Sequence, residues 1–146
     1  MDASSHQWQI PQLIRHELDD VRRIIAEAFA EFPESAEILK PVLASPGKML
    51  RPALLLLSGR CFAQPAPLHF QAAAIIELIH TATLIHDDVI DNAPLRRGLE
   101  CVHQVWGNRL AILAGDFVFS RVFEMSARLG REDISAMLAQ TASQIC

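Results

Sequence analysis

The sequence predicts an all-α fold, a bundle of antiparallel helices. Apolar residues recur every three to four positions along most of the chain, which is the spacing of a helix face. No segment shows the two-residue alternation with turn signals that is typical of strands, so we expect no strands. Hydrophobic residues make up 51% of the 146 residues and charged residues 21%, so one domain can bury a large core.

Breaker residues divide the chain into six predicted helices. Pro33 ends the first helix, and the Pro46-Gly47 pair marks a turn. Pro52 suits the first position of the third helix, and Pro94 breaks the chain after the fourth. The predicted helices are 11–32, 35–43, 53–62, 68–91, 107–129 and 132–146.

The fourth helix carries one polar stripe on an otherwise apolar surface. At about 100° per residue, six polar side chains fall within roughly a third of its circumference. They are Glu77, His80, Thr81, Asp87, Asp88 and Asp91. Because apolar residues occupy the rest of the surface, we expect this helix to be buried on most sides.

Three aspartates stand where a helix tolerates them poorly. Aspartate is a weak helix former, and the helix dipole disfavours anions at the C-terminal end. Asp87 and Asp91 lie one turn apart, about 5–6 Å between Cβ atoms, and repel each other unless a cation lies between them. Mg²⁺ accepts one or two carboxylates together with substrate phosphate oxygens. Since such conflicts are expected at functional sites, we predict a Mg²⁺ site at Asp87 and Asp91.

Two basic segments flank this helix in the sequence. Lys48 and Arg51 stand at the start of the third helix, where free N–H groups and the dipole attract anions. Arg96 and Arg97 follow the fourth helix in a loop, and adjacent guanidiniums can bind phosphate oxygens bidentately. Gly98 would let the backbone pass close to a ligand. Taken alone, Lys48 and Arg51 are more simply interpreted as ordinary surface cations, with a cradle for a diphosphate group as the alternative.

Four motifs together resemble the trans-type isoprenyl diphosphate synthases, also called polyprenyl synthetases. They are P-G-K-M-L-R-P, D-D-V-I-D, R-R-G and W-G-N-R-L-A-I-L-A-G-D-F, in that order. The resemblance runs from about Leu39 to the C-terminus and implies a helix bundle of the isoprenoid synthase type. Members of the family are longer and carry a second Asp-rich motif in their other half. We therefore expect residues 1–146 to be the N-terminal part of a single, truncated polyprenyl synthetase domain.

The resemblance also implies a reaction and the residues that carry it. The family condenses isopentenyl diphosphate with an allylic diphosphate to give a longer (E)-polyprenyl diphosphate, using Mg²⁺. By motif position, the catalytic residues are Asp87, Asp88, Asp91 and Arg96, with the metal on Asp87 and Asp91. The same positions assign isopentenyl diphosphate to Lys48, Arg51, His80 and Arg97, and the allylic diphosphate to Arg96. The sequence departs from the family pattern at Pro46, Met49, Glu100 and Cys101.

Two small residues one turn before the aspartates bear on product length. In the family, a bulky aromatic residue at the position of Ala82 or Thr83 blocks the growing chain. Both residues are small here, so we expect a substrate pocket open to chains longer than farnesyl. The substitution Ala82→Phe should shorten the product.

Composition excludes several other classes. The net charge is −4 without a basic block, which argues against nucleic acid as a partner. Residues 1–9 lack the pattern of a signal peptide, and the apolar run 72–85 is too short for a membrane span. The three cysteines show no metal or redox spacing, so free thiols and a cytoplasmic location are expected.

His86 and Asp116 are interpreted as a core histidine and a buried, hydrogen-bonded carboxylate.

Two other functions remain open from the sequence. The chain could be a non-catalytic or truncated subunit that binds substrate or a complementary half, because residues 92–146 contain no second Asp-rich motif. It could also be a class I terpene cyclase, which shares the D-D-x-x-D site. Cations for a second diphosphate argue against the cyclase, which has one diphosphate substrate. The family is usually dimeric, so a homodimer is expected.

Overall fold

The computed structural model describes residues 12–43 and 47–145, which form seven α-helices and one short β-hairpin. A 3-10 turn at Gln12–Ile14 precedes the first helix. The helices are α1 (Arg15–Glu27), α2 (Pro33–Leu43), α3 (Leu50–Arg60), α4 (Pro67–Ile90), α5 (Val102–Trp106), α6 (Asn108–Arg128) and α7 (Glu132–Ile145). The predicted all-α bundle is confirmed, and Pro46 and Cys146 lie outside the described residues.

The long helix α4 is the centre of the bundle. It packs most extensively on α6, and then on α3 and α1. One core cluster joins Leu78, Ala82 and Ile85 of α4 to α6 and α2, and a second joins Ala73 and Ala74 to α1 and α3. Burial of apolar residues on several sides of one helix is the expected arrangement for a helix with a single polar stripe.

Helix α4 is also long and apolar enough to cross a membrane, judged by length and composition alone. The buried central helix of a protein core can have the same length and apolar composition. Because α1, α3 and α6 pack around α4, we assign it to the protein core.

The expectation that the chain has no strands is wrong at one place. Strands β1 (Leu95–Arg96) and β2 (Leu99–Glu100) pair antiparallel, with Leu95 opposite Glu100. The two residues between them, Arg97 and Gly98, have φ values of 53° and 81°. Two positive φ values in a two-residue loop match the right-handed twist of a hairpin. Strands of two residues are too short to show an alternating pattern in the sequence.

Several helix boundaries also differ from the prediction. Pro33 begins α2, where it occupies the first helical position. Helix α3 begins at Leu50, which makes Pro52 its third residue and places Arg51 in its first turn. The short helix α5 was not predicted. The boundaries of α4, α6 and α7 agree with the prediction to within one residue over the described residues.

A close contact between α4 and α6 involves His86. Its Nε2 lies 3.2 Å from the carbonyl oxygen of Ile112 and 3.5 Å from Oδ1 of Asp116. The ring occupies the space above Gly115, where a Cβ atom would overlap it. The structural role predicted for His86 agrees with this packing. The prediction for Asp116 is wrong, because its side chain is 60% exposed at the helix surface.

Gly115→Ala should therefore destabilise the protein. The added methyl group would meet the His86 imidazole, and overpacking of this kind costs about 1–3 kcal/mol, although alanine alone favours a helix by about 1 kcal/mol over glycine. Urea denaturation measures the difference in free energy of unfolding. In a His86→Ala background the same change should be neutral or stabilising. A Gly115→Ala protein as stable as the unsubstituted chain would contradict this packing.

Candidate active site

A cleft forms where α4, α1, α2 and the hairpin meet. Its polar lining includes Glu77, His80, Thr81, Asp88, Arg96 and Arg97, and its apolar wall includes Ile25, Pro41, Val42, Leu43, Leu84 and Leu99. Four members of the predicted stripe therefore share one cleft with both arginines of the R-R-G motif.

An ion pair between Asp88 and Arg96 connects α4 to the hairpin. Nε of Arg96 donates to both carboxylate oxygens of Asp88, at 2.9 and 2.8 Å, and Nη2 donates to Oδ1 at 2.5 Å. Asp88 is buried, with 4% of its surface exposed. The hydrogen bonds to Asp88 raise the pKa of Arg96 above the usual value of an arginine. The guanidinium is therefore fixed as a cation beside the cleft.

Cys101 completes the surroundings of Asp88. The residue is buried, and burial, together with a hydrogen bond to Asp88, raises the pKa of its thiol to about 11. At neutral pH the group is an S–H that donates to the carboxylate. This departure from the family pattern adds a donor to Asp88, and the high pKa makes Cys101 a poor nucleophile.

The other two aspartates face solvent. Asp87 is exposed in the last turn of α4, and Asp91 is the exposed C-cap residue. The Asp91 N–H donates to the Asp87 carbonyl at 2.8 Å, so the two residues lie one turn apart. Neither forms an ion pair with another described residue.

This donor set fits a divalent cation that shares its coordination with a ligand. Mg²⁺ is commonly bound by one or two carboxylates plus phosphate oxygens and water. The described residues contain no group of three or more His, Cys, Asp or Glu side chains that could enclose a metal ion by themselves. Asp88 is bound to Arg96, so Asp87 and Asp91 are the two aspartates of the motif left to bind a metal, and their role as metal ligands stays a prediction.

The basic loop before α3 lies against the hairpin. Gly47, at φ +65°, sits under the guanidinium of Arg97, and a Cβ at this position would overlap that group. Lys48 and Arg51 are exposed on the same loop and the first turn of α3. Met49, one of the departures from the family pattern, is buried at 1% exposure in the core cluster with α1. Its side chain anchors the loop and leaves the neighbouring cations at the surface.

His80 lies in this basic field as a neutral imidazole. Burial, and then the charges of Arg51, Arg97 and Arg96, lower its pKa to about 4, while Asp87 opposes them weakly. A histidine whose pKa is depressed in the folded state destabilises the fold as pH falls from about 6.5 towards 4. At neutral pH His80 can donate one N–H to a ligand without adding charge.

Glu77 also lines the cleft. The sequence analysis placed it on the polar stripe of the fourth helix but assigned it no function. It is 7% exposed, and its Oε2 has no hydrogen-bond partner among the described residues. Burial raises its pKa, and the charges of Arg51 and Arg97 lower it. The signal in the sequence was its position one turn before His80, on the same face.

The two residues expected to control product length lie deeper on α4. Ala82 is completely buried in the core cluster shared with α6. The Thr83 hydroxyl donates to the carbonyl of His80 at 2.8 Å and is part-buried. Neither is among the described residues that line the cleft, so their contact with a growing chain stays a prediction.

Comparison with known proteins gives the family. The family model described as polyprenyl synthetase matches residues 33–146. The chain belongs to this family. The solanesyl-diphosphate synthase 2 of rice (Oryza sativa subsp. japonica) chloroplasts is a polyprenyl synthetase relative with 43% identity over 117 residues, covering 76% of this chain.

Solved structures of polyprenyl synthetases have the same fold. A decaprenyl diphosphate synthase from Rhodobacter capsulatus superposes with a TM-score of 0.85 at 32% identity, over 92% of this chain and 42% of that protein. A polyprenyl synthase from Caulobacter crescentus, solved with calcium and isoprenyl diphosphate, gives 0.79 at 35% identity, over 90% of this chain and 40% of that one. The chain spans 29% of the rice enzyme, so it corresponds to less than half of each of these proteins.

Asp88→Asn should destabilise the protein, whereas Asp87→Asn should not. The first substitution removes the charge that Arg96 binds, and a hydrogen bond to a charged group contributes about 1.5–3 kcal/mol. Asp87 is exposed, and changes at such positions usually stay within about 0.5 kcal/mol. Urea denaturation of both variants gives the comparison. Equal losses of stability would show that the Asp88–Arg96 pair does not hold the hairpin.

Proposed function

We propose that this chain is the N-terminal part of a trans-isoprenyl diphosphate synthase. The enzyme condenses isopentenyl diphosphate with an allylic diphosphate to give a longer (E)-polyprenyl diphosphate. One observation carries the proposal: Arg97, whose guanidinium lies against Gly47, lines one cleft together with four residues of the polar stripe of α4. The relatives support it, since the solanesyl and decaprenyl enzymes are named as prenyl diphosphate synthases, and these names favour a synthase over a terpene cyclase.

The basic side of the cleft would hold isopentenyl diphosphate. Arg51 and Arg97 supply guanidiniums that bind phosphate oxygens in pairs, and Lys48 adds a third cation from the exposed loop. Neutral His80 donates a hydrogen bond from the floor of the cleft. The substrate's double bond is then directed towards the end of α4 that carries Asp87 and Asp91.

The acidic end of α4 would hold the allylic diphosphate. Mg²⁺ bound by Asp87 and Asp91 would stabilise the negative charge of the departing diphosphate. Asp88 holds Arg96 by Nε and Nη2, so Nη1 can donate to the same leaving group. Asp88 therefore acts by positioning Arg96.

The reaction then needs few further groups from the protein. The allylic C–O bond breaks, and diphosphate leaves with the electron pair. The double bond of isopentenyl diphosphate attacks the allylic cation, and a proton is lost to diphosphate. Fixed positive charges stabilise the leaving group without reorganisation. The apolar wall formed by Ile25, Leu84 and Leu99 keeps water from the cation.

A second candidate is a non-catalytic or incomplete part that binds substrate and needs another chain. Two observations favour it: the chain spans 29–42% of the relatives compared here, and α6 exposes large apolar side chains. These are Leu110, Ile112, Leu113 and Phe123. A homodimer or a complementary half would cover such a face.

Binding and turnover separate the two candidates. With Mg²⁺, the chain should bind isopentenyl diphosphate in calorimetry, and Arg51→Ala should weaken binding at least about tenfold, because a charge-assisted hydrogen bond is lost. Arg128→Ala, at an exposed position on α6, is the matched control. Adding an allylic diphosphate should give elongated product if the chain is a complete catalyst. Binding without product would identify it as the incomplete part, and no binding would refute the substrate assignment.

Product length is the next prediction. The solanesyl and decaprenyl relatives make long chains by name, which supports a product longer than farnesyl here. Thr83→Phe and Ala82→Phe should both shorten the product. Chromatography of the dephosphorylated prenols measures its length, and the assay includes a complementary chain if turnover requires one. Since Ala82 is fully buried, its phenylalanine variant needs a melting curve as a fold control. Unchanged chain length in a folded Ala82→Phe or Thr83→Phe protein would remove that residue from the product pocket.

A further inference from the structure

Glu77 is a buried carboxyl group on the floor of the basic cleft. It lies on α4 one turn before His80 and is 7% exposed. Its Oε2 is buried without a hydrogen-bond partner among the described residues. Leaving a buried carboxylate oxygen unsatisfied is costly, so this atom is an available position for a ligand that enters the cleft.

The groups that face Glu77 come from several elements. Helix α3 contributes Arg51, the hairpin contributes Arg96, Arg97 and Glu100, and α4 itself contributes His80 and Asp88. The thiol of Cys101 lines the same cleft, whereas α1 and α2 contribute only apolar side chains there. Arg96 and Asp88 neutralise each other. Of these groups, Arg51 and Arg97 are the ones that favour ionised Glu77, against the effect of its burial.

A bound diphosphate would remove the effect of Arg51 and Arg97 and so favour the protonated form of Glu77. Its oxygens would engage Arg51 and Arg97, so their positive charge would no longer stabilise the carboxylate. The diphosphate would also bring negative charge close to an ionised Glu77, and in a partly buried site this repulsion is only weakly screened. Both effects favour the neutral carboxylic acid, which can donate a hydrogen bond where the carboxylate can only accept.

We propose that Glu77 is a further substrate-binding residue: when a diphosphate occupies the cleft, the Glu77 carboxyl takes up one proton from solvent and donates a hydrogen bond to a diphosphate oxygen. The inference rests on the proposed function, because it requires this cleft to hold isopentenyl diphosphate. It explains the presence of a buried acid in a cation-rich cleft, because the protonated acid serves as a hydrogen-bond donor to the ligand.

The sign of the pH dependence follows from this scheme. Burial raises the pKa of Glu77 in the free protein, and the bound diphosphate would raise it further. Between those two pKa values, binding takes up a proton, so affinity falls by up to tenfold per pH unit as pH rises. The bound diphosphate would also raise the pKa of His80, which is about 4 in the free protein, so proton uptake by His80 is the part that remains in Glu77→Gln. The ligand contributes the opposite sign, because contact with cations favours its more ionised form.

Calorimetry of the whole chain with isopentenyl diphosphate tests the proposal. Titrations in buffers of different ionisation enthalpy give the number of protons exchanged, at several pH values. The unsubstituted protein should take up more protons than Glu77→Gln, by up to one per site. Glu77→Gln should bind as tightly as the unsubstituted protein at low pH and more tightly at high pH, because its amide always donates and never repels the ligand.

Two further variants keep the test interpretable. Glu100→Gln changes an exposed carboxylate on the same cleft and should leave the proton uptake unchanged. Glu77→Met removes the donor at similar size and should bind more weakly than Glu77→Gln at every pH. If neither Glu77 variant folds, His80→Asn removes the other titratable side chain that would contact the ligand. Net proton uptake that persists in His80→Asn supports the role of Glu77, and its loss there overturns that role.

The outcomes distinguish this inference from the function on which it rests. Binding with the same proton count in the unsubstituted protein and in Glu77→Gln overturns the role of Glu77 and leaves the substrate assignment intact. A uniform loss of affinity in Glu77→Gln at all pH values also overturns it, since that result indicates a fixed counter-ion for Arg51 and Arg97. No binding by the unsubstituted chain overturns both.

Discussion

Arg96 donates three hydrogen bonds to the buried carboxylate of Asp88, and the candidate site depends on this ion pair. It fixes the hairpin to the last turns of α4, and the tight turn of the hairpin then directs Arg97 towards Gly47 on the loop before α3. The end of α4, the hairpin that follows it and the much earlier loop before α3 are thereby brought together beside the cleft. Removing one partner of such a pair is costly, whereas replacing both partners by apolar residues is often neutral, so the particular effect of the pair is the position it gives to the arginines.

Acidic residues on one stripe have different tasks because their surroundings differ. Asp87 and Asp91 are exposed and suit a cation shared with a ligand. Asp88 is buried and positions Arg96. Glu77 is buried deeper in the cleft, with one unpartnered oxygen beside a group of cations. The stripe thus runs from an exposed end, proposed to bind Mg²⁺, to a buried end that lies under the proposed diphosphate.

Much of this arrangement could be predicted from the sequence, and the missing part has a physical reason. Helical periodicity and flanking prolines gave α4 its boundaries, and its polar stripe identified residues that do share a cleft. The hairpin could not be foreseen, because strands of two residues show no alternation. Asp87 and Asp88 have the same side chain on the same stripe, so only the position of Arg96 shows which is buried. The burial of Met49 likewise depends on packing against α1 and α3, which no local pattern encodes.

The most direct test of the central claim is a crystal structure of this chain with isopentenyl diphosphate and Mg²⁺. The account predicts diphosphate oxygens within about 3 Å of the guanidiniums of Arg51 and Arg97, with Arg96 still bonded to Asp88. A diphosphate bound elsewhere on the chain, with Arg97 withdrawn from Gly47 and the cleft closed, would contradict it.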